Sequence, residues 1–379
     1  MKNYSNLRLV LSAFIFLSLV SCIAGIGEKP TQVPRDDIST ISQNPTRTRS
    51  VNLHDIELHH WIFPESRVAD VNWMPNSDRF VAVTSTEITM YDASTYQAIW
   101  TIPSTSDAKV AGFMPDGKSL VIYIYGSGFQ IRDTITGKLL TEKKDNNPVD
   151  CFQFKAHDGV LRAKDKTLYL SVEDQSDKRI TYTEVHVWDM KSLTCEGIFL
   201  RNEGQTRALD LSTDGKFLAL SVGLNTSITG SDVSEDGQVT IWNLDLNQRA
   251  CSIGHQGSIG RFNPSNSLLL VSDPKNNQLA YWDMNTCQMV GALKDTTTRY
   301  NLAFSPDGQL LAVWDEGIRI LDANSGEEML KISDPVPDNI FPIDRLSGTL
   351  SFSYDGHYLL YSIQQLPYKG LIFLWSLEK

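Results

Sequence analysis

The sequence lacks most of the short motifs on which common enzyme classes depend. It has no Gly-x-Ser-x-Gly elbow, no His-Glu-x-x-His zinc motif and no Cys-x-x-Cys pair. The seven histidines are scattered and fall mostly at expected turns or strand ends. We therefore expect no catalytic site, no resident metal and no cofactor.

Positive charge is also scarce. The chain of 379 residues carries 34 Lys and Arg against 45 Asp and Glu, a net charge of −11. An acidic surface repels phosphate backbones, which argues against general nucleic-acid binding. Hydrophobic residues make up 41% and charged residues 21% of the chain, a balance that fits a folded globular protein and excludes wholesale disorder or a polytopic membrane protein.

The amino terminus has the pattern of an export signal. Lys2 and Arg8 precede an apolar stretch from Leu9 to Val20, which suits a signal peptide and is short for a transmembrane helix. The stretch ends in Leu-Val-Ser followed by Cys22, which resembles the lipobox of bacterial lipoproteins. The resemblance implies cleavage after residue 21 and attachment of acyl chains to Cys22, which together anchor a protein stably. An ordinary secretory signal with a chance cysteine is the alternative.

Residues 22–50 follow as a segment rich in Ser, Thr, Pro and Gln without sustained apolar periodicity. Such a composition predicts a flexible tether between a membrane and a folded body. Cleavage removes Lys2 and Arg8, so the mature net charge becomes −13. Ile23 follows the cysteine, so the Asp that marks inner-membrane retention in some bacteria is absent.

The rest of the chain, residues 51–379, repeats one unit seven times. Each unit has a first strand, a tight turn and further strands, as in Leu302–Gly308 (LAFSPDG), where Pro, Asp and Gly suit successive turn positions. The first strand and turn recur as VNWMPNSD (71–78), AGFMPDG (111–117), FQFKAHDG (152–159), LDLSTDG (209–215), GRFNPSN (260–266), LAFSPDG (302–308) and LSFSYDG (350–356).

The third strand of each unit ends at a residue that is usually Asp. These ends are Asp92, Asp133, Asp189, Asn243, Asp283, Asp322 and Ser376. Turn markers from Asn76 to Asp355, with Asp158 as the marker of the third unit, are 40 to 56 residues apart. Four short strands in units of that length predict an all-β, seven-bladed β-propeller of four-stranded antiparallel blades.

These units resemble the WD-repeat family over nearly all of residues 51–379. Trp188-Asp189 and Trp282-Asp283 keep the family's Trp-Asp ending, and Gly254-His255 keeps its Gly-His pair. The resemblance implies a hydrogen-bond relay of His255, Ser272 and Trp282, incomplete because Asn277 stands near the usual Asp position. It also implies protein–protein association. The related Tyr-Val-Thr-Asn type of bacterial propeller is the alternative.

The last unit stops just past Trp375 and lacks an outer strand. Residues 51–63 precede the first unit and alternate like a half-buried strand, so we expect them to complete the last blade and close the ring. A metal site at His59 and His60 is an unfavoured alternative, because neighbouring strand residues point to opposite faces.

Four cysteines lie beyond the lipid site. In an exported protein Cys151, Cys195, Cys251 and Cys287 could form two disulfides in any of three connectivities. Because they fall at different places in separate units, we expect free and mostly buried thiols.

Loop lengths give the positional hint about function. The second-to-third-strand connection is long in unit three (Glu173 to Glu184), unit four (Gly223 to Gly237) and, to a lesser extent, unit seven (Ile363 to Gly370). The first two should lie side by side, which predicts a partner-binding patch built from Asp174, Asp177, Tyr182, Asn225, Ser231 and Asp232; neutral drift of exposed loops is the alternative.

Asp232 to Gly237 resembles a calcium loop but lacks its final Glu, so a plain hairpin turn at Asp236-Gly237 is favoured.

Taken together, the sequence predicts a non-enzymatic interaction scaffold, a monomeric propeller held by lipid on the extracytoplasmic side of a bacterial membrane and binding a protein partner. The alternative is an enzyme or a sugar- or peptide-binding propeller with a pocket at the mouth of the central channel.

Overall fold

A computed structural model describes residues 57–63, 66–104, 108–144, 151, 154–174, 181–225, 233–254, 259–266, 268–273, 276–294, 296, 301–314, 317–332, 349–365 and 369–377. Residues Thr48–Lys379 form one compact unit, to which all described residues belong. Cys22 and the predicted signal peptide lie outside the described residues. Within the described residues no helix is long and apolar enough to cross a membrane.

The described strands form seven four-stranded antiparallel sheets, which are the seven predicted blades. From the inner to the outer strand, blade one contains β2 (Val68–Trp73), β3 (Arg79–Thr84), β4 (Glu87–Asp92) and β5 (Gln97–Pro103); blade two contains β6 (Ala108–Phe113), β7 (Ser119–Ile124), β8 (Gly128–Asp133) and β9 (Leu139–Lys144); blade three contains β10 (Lys155–Arg162), β11 (Thr167–Asp174), β12 (Tyr182–Asp189) and β13 (Thr194–Glu203).

The same order continues around the ring. Blade four contains β14 (Gln205–Leu211), β15 (Phe217–Asn225), β16 (Val233–Asn243) and β17 (Gln248–Gly254); blade five contains β18 (Gly260–Phe262), β19 (Leu268–Asp273), β20 (Gln278–Asp283) and β21 (Gln288–Lys294); blade six contains β22 (Leu302–Phe304), β23 (Leu310–Trp314), β24 (Ile318–Asp322) and β25 (Glu328–Ile332); blade seven contains β26 (Thr349–Phe352), β27 (Tyr358–Gln365), β28 (Lys369–Ser376) and β1 (Glu57–Phe63).

The ring closes as predicted, through the strand before blade one. β1 pairs with β28 in an unbroken antiparallel register from Glu57 opposite Ser376 to Phe63 opposite Gly370. The inner strands β2 and β26 also contact each other, so blades one and seven are neighbours. Closure leaves no blade with a missing outer strand.

Apolar side chains fill the spaces between neighbouring blades. On β3, Phe80 and Ala82 pack against blade seven, whereas Val81 and Val83 pack against blade two. Both faces of the strand are therefore buried, which explains why the middle strands are continuous apolar runs. A separate hydrophobic cluster lies at each of the seven interfaces, including the one between blades seven and one.

The antiparallel order gives the ring two distinct faces. The lower face consists of the first-to-second-strand and third-to-fourth-strand turns, such as residues 74–78 and 93–96 of blade one. The upper face consists of the second-to-third-strand hairpins, such as 85–86, and the links between blades. All seven third strands end at the predicted residue.

An acceptor side chain caps the third-to-fourth-strand turn in each of blades one to six, which explains the preference for Asp at the end of the third strand. Asp133 Oδ1 accepts the backbone N–H groups of Ile135 (3.1 Å) and Thr136 (2.8 Å), and Asn243 Oδ1 does the same for Asp245 and Leu246 (both 3.1 Å). The corresponding acceptors in the other turns are Asp92, Asp189, Asp283 and Asp322. The terminal Asp of the repeat is thus a turn cap.

The predicted turn of blade three was wrong. Asp158 and Gly159 lie inside β10, and the chain turns instead at residues 163–166, where Lys166 takes a φ of +61°. Gly159 is required by packing, because a Cβ there would stand 2.7 Å from the carbonyl oxygen of Ala111 in blade two. With Asp165 as the turn marker of the third unit, its distances to the markers of the second unit (Asp116) and the fourth unit (Asp214) are both 49 residues.

The expectation of free thiols was also wrong. Cys151 is bonded to Cys195 and Cys251 to Cys287. The first disulfide lies in the hydrophobic cluster between blades two and three, and the second lies between blades four and five. Cysteines that occupy different places in the repeat thus meet where two neighbouring blades pack together.

Two of the predicted connections contain more strand than expected. In blade seven only residues 366–368 separate β27 from β28, so most of the predicted loop from Ile363 to Gly370 is strand. In blade four β16 begins at Val233, and Gly237 pairs with Gly223, so Asp236-Gly237 is not the predicted hairpin turn.

Candidate functional site

The longest second-to-third-strand connections do lie in the adjacent blades three and four. Seven residues separate β11 from β12 and seven separate β15 from β16, against two to four in the other blades. Of the predicted patch residues, Asp174 ends β11, Tyr182 begins β12 and Asn225 ends β15. Asp177, Ser231 and Asp232 lie outside the described residues.

Asp174 and Tyr182 belong to a charged network centred on Arg201 of β13. Arg201 Nη2 donates to Asp174 Oδ2 at 3.0 Å, and its Nη1 lies 2.9 Å from Glu184 Oε1. The Arg201 side chain is 46% exposed, whereas the side chains of Asp174 and Glu184 are 8% and 2% exposed. Two buried carboxylates therefore hold an exposed guanidinium in one position.

Strand alternation explains why these residues meet. Asp174 is opposite Tyr182 and Glu184 is opposite Arg201, so the four side chains share the face of blade three that is turned towards blade two. The guanidinium carbon of Arg201 lies 4.3 Å from the centre of the Tyr182 ring, a cation–π contact.

The network continues inward to His186. His186 Nε2 lies 2.9 Å from Glu184 Oε2, and both side chains are about 2% exposed. The edge of the Phe154 ring packs against His186, with ring centres 6.0 Å apart. Both oxygens of Glu184 are thus engaged, one by His186 and one by Arg201.

Arg201, Glu184 and His186 were not among the site residues predicted from the sequence. A signal was available, because Tyr182, Glu184, His186 and Trp188 alternate with the apolar Val185 and Val187 along β12. Polar residues at two consecutive positions of a buried strand face require partners from the neighbouring strand. The partner Arg201 is identified only by the register between β12 and β13.

Hydrogen bonds tie the upper end of blade three to blade four. Thr183 Oγ1 donates to the carbonyl of Gly204 at 2.8 Å and lies 3.2 Å from Thr206 Oγ1. Asn202 Nδ2 donates to Thr240 Oγ1 of blade four at 3.0 Å. Side-chain hydrogen bonds therefore join blades three and four beside the Arg201 network.

Three carboxylates converge on the inner strands, which the sequence analysis did not anticipate. Asp70 accepts the N–H groups of Val71 and of Val110 in blade two, both at 3.0 Å. Asp158 accepts from Gly159 and from Leu209 of blade four, and Asp210 accepts from Leu211 and from Phe262 of blade five. In each case one carboxylate oxygen accepts a hydrogen bond from its own blade and the other accepts one from the next blade, so the carboxylate links the two blades.

Burial changes the acidity of two of these groups. Desolvation raises the pKa of Asp70 and of Asp210, opposed by the nearby charges of Lys109 and Arg261 respectively. The charge of Asp158 raises both pKa values further. The negative charge of Asp158 in blade three thus acts on the carboxyl groups of both Asp70 in blade one and Asp210 in blade four.

Other motifs from the sequence do not form a site. Gly112 to Ser119 (GFMPDGKS) has the spacing of a phosphate-binding loop, but the structure places it in β6, a lower-face turn and β7 instead of before a helix. His59 stacks on Tyr96 with ring centres 3.5 Å apart. In the described part of the chain, no group of three or more His, Cys, Asp or Glu is placed to hold a metal.

The structure describes two of the three residues of the predicted hydrogen-bond relay. Ser272 is buried in β19 and Trp282 lies in β20, where its backbone pairs with Leu269. His255 is outside the described residues, so the relay remains a prediction.

Comparison with known proteins leaves the fold as the firm conclusion. No protein-family model matches the chain, and no curated protein matches it. The molecule is a seven-bladed β-propeller by its own sheet order.

Proposed function

We propose that this protein is a non-enzymatic interaction scaffold of the WD-repeat type, anchored by lipid at Cys22 to the extracytoplasmic side of a bacterial membrane. Its partner is a protein that binds the upper face at blades three and four. The observation that carries the proposal is the Arg201 network, an exposed guanidinium that two buried carboxylates fix over Tyr182.

Fixed Arg and Tyr side chains suit this role. Arg and Tyr are enriched among the residues that dominate binding energy at protein interfaces. A side chain that is already held in place loses little conformational freedom on association. The predicted patch also includes Asn225, which ends β15, and Asp177, Ser231 and Asp232, which lie outside the described residues.

Two further features support the cellular setting. The two disulfides favour an oxidising compartment, where such bonds persist. The chain reaches the ring at Glu57, opposite Ser376 and therefore on the lower face. A membrane tether would leave the upper face turned towards a partner.

The alternative of a channel-mouth enzyme or ligand-binding protein draws no support from the inner carboxylates. Asp70, Asp158 and Asp210 each commit both oxygens to backbone N–H groups of adjacent blades. Elemental analysis of the purified protein and a substrate screen test this point: a stoichiometric metal or turnover would overturn the scaffold proposal.

The partner surface is tested by cross-linking in intact cells, followed by identification of the captured proteins. We expect Arg201→Ala to lower the yield of a specific partner at least tenfold, and exchange of both long connections for Asp-Gly turns to abolish capture. Arg249→Ala is the matched control, because Arg249 is exposed at the lower end of β17 in blade four. Equal capture by all four proteins would reject the patch.

A further inference from the structure

Exposed apolar side chains are concentrated on one side of the ring. Of the large apolar residues that are exposed within the described part of the chain, only Tyr125 and Ile198 lie elsewhere. The others occupy lower-face turns or the lower ends of outer strands: Leu58, Ile135, Leu139, Leu140, Leu246, Met289, Val290, Met329 and Tyr354.

Three of these residues stand in the turns themselves. Ile135 of blade two, Leu246 of blade four and Tyr354 of blade seven are 62%, 63% and 52% exposed. They belong to blades two, four and seven, so neighbouring members of this set are two or three blades apart around the ring. We call these three residues of one face the lower contact points.

Glu57, the first residue that the structure describes, lies on this same face at the lower end of β1. Along the chain, 35 peptide bonds separate it from Cys22. A flexible tether of that length, as the composition predicts, has a root-mean-square span of about 30 to 35 Å. The lower face would thus stay within reach of the bilayer that holds the anchor.

We propose that the lower face rests on that bilayer, with the lower contact points inserted at the headgroup level. This inference rests on the proposed lipid anchor and adds an orientation to it. Apolar tips on a peripheral surface bind in this way. The occupant is a zwitterionic lipid surface, because Asp and Glu outnumber Lys in the lower-face turns and their excess negative charge opposes an anionic surface.

The third-to-fourth-strand turns of the lower face carry ionised carboxylates. Hydrogen bonds from Thr136 and Ser192 side chains hold the pKa of Asp133 and of Asp189 below the ordinary value. Asp133 shares its turn with Ile135, and Asp189 lies in the corresponding turn of blade three. Both remain ionised at neutral pH and repel anionic headgroups at low salt. On this account the upper face, with the Arg201 network, points away from the bilayer.

Energy transfer to an acceptor lipid in phosphatidylcholine vesicles measures the orientation of the lipidated mature protein. Because Cys22 is acylated and the other cysteines are paired, a dye attaches only to an introduced thiol, at Asn324→Cys on the lower face or Ser127→Cys on the upper face. We expect severalfold stronger transfer from the lower label, and a marked decrease when phosphatidylglycerol is added at low salt.

The I135S/L246S/Y354S variant should lose most of the difference between the labels. The control variant Y125S/I198S removes the two exposed apolar side chains that lie away from the lower side and should keep it. Protein that fails to float with the vesicles would overturn the anchor itself. Floating protein with equal transfer from both labels would overturn the docking alone, as would equal losses in the lower-face variant and the control variant.

Discussion

The two disulfides allow a quantitative test of how the ring is stabilised. Removing either pair, as C251A/C287A or C151A/C195A, releases a loop whose ends are 36 or 44 residues apart. The chain-entropy relation for loops of this length gives about 4 kcal/mol of stabilisation per crosslink at 25 °C. The unit Thr48–Lys379 has an unfolding entropy of about 0.7 kcal/mol/K by the usual per-residue value, so each loss should lower Tm by about 6 °C.

The assay is scanning calorimetry of the purified protein with and without dithiothreitol, together with peptide mapping under non-reducing conditions. Because the two bonds lie in separate clusters and share no contact, their effects should add to about 12 °C. The variant lacking all four cysteines is the control and should not respond to reductant. Free thiols in the oxidised protein, a different pairing, or a Tm indifferent to dithiothreitol would refute the reasoning.

Three further perturbations test the fold. Deleting Glu57–Phe63 should lower Tm and broaden the calorimetric transition, because β28 loses its partner along seven pairs; an unchanged melt would contradict closure by β1. Asp133→Asn should keep the turn, since Asn243 fills the same role in blade four, whereas Asp133→Ala should lower Tm. The pKa of Asp133 is lower in the folded than in the unfolded protein, so the Asp133 carboxylate stabilises the fold above the unfolded pKa of about 3.9, and this stabilisation is lost as the pH falls through the folded pKa. In thermal melts below about pH 4, wild type should therefore lose more stability than Asp133→Asn. Gly159→Ala, whose Cβ would meet a carbonyl at 2.7 Å, should cost about 1 to 3 kcal/mol in urea unfolding, while Gly254→Ala, with open space around it, should cost much less; equal effects would contradict the packing argument.

The strand ends were predictable because their chemistry is local. The third strand stops where a side-chain oxygen caps the next turn, and Asp133 and Asn243 reveal this in the sequence. The same local logic failed at Asp158 and Gly159. There Gly serves a contact with Ala111 of the preceding blade, and Asp serves Leu209 of the following one. A turn signal and an inter-blade contact use the same two residue types.

The charged network could be predicted only in part. Asp174 and Tyr182 were found because they flank a long connection, a feature that is visible along the chain. Arg201, which binds Asp174, lies on β13, a strand that begins 20 residues after Asp174. The two side chains meet only through the register of β11 with β12 and that of β12 with β13. The disulfide partners depend in the same way on how one blade packs against the next.

Closure by β1 has a consequence for the order in which the protein is assembled. Glu57 and its partner Ser376 are 319 residues apart, so a chain that crosses a membrane amino end first delivers β1 long before β28. During that interval β1 has no sheet to join, while the intervening blades can form from neighbours in sequence. The final step then pairs the first strand of the domain with the last. Any delay in delivering the carboxyl end leaves an incomplete ring whose two terminal blades expose unpaired strand edges that are prone to aggregation.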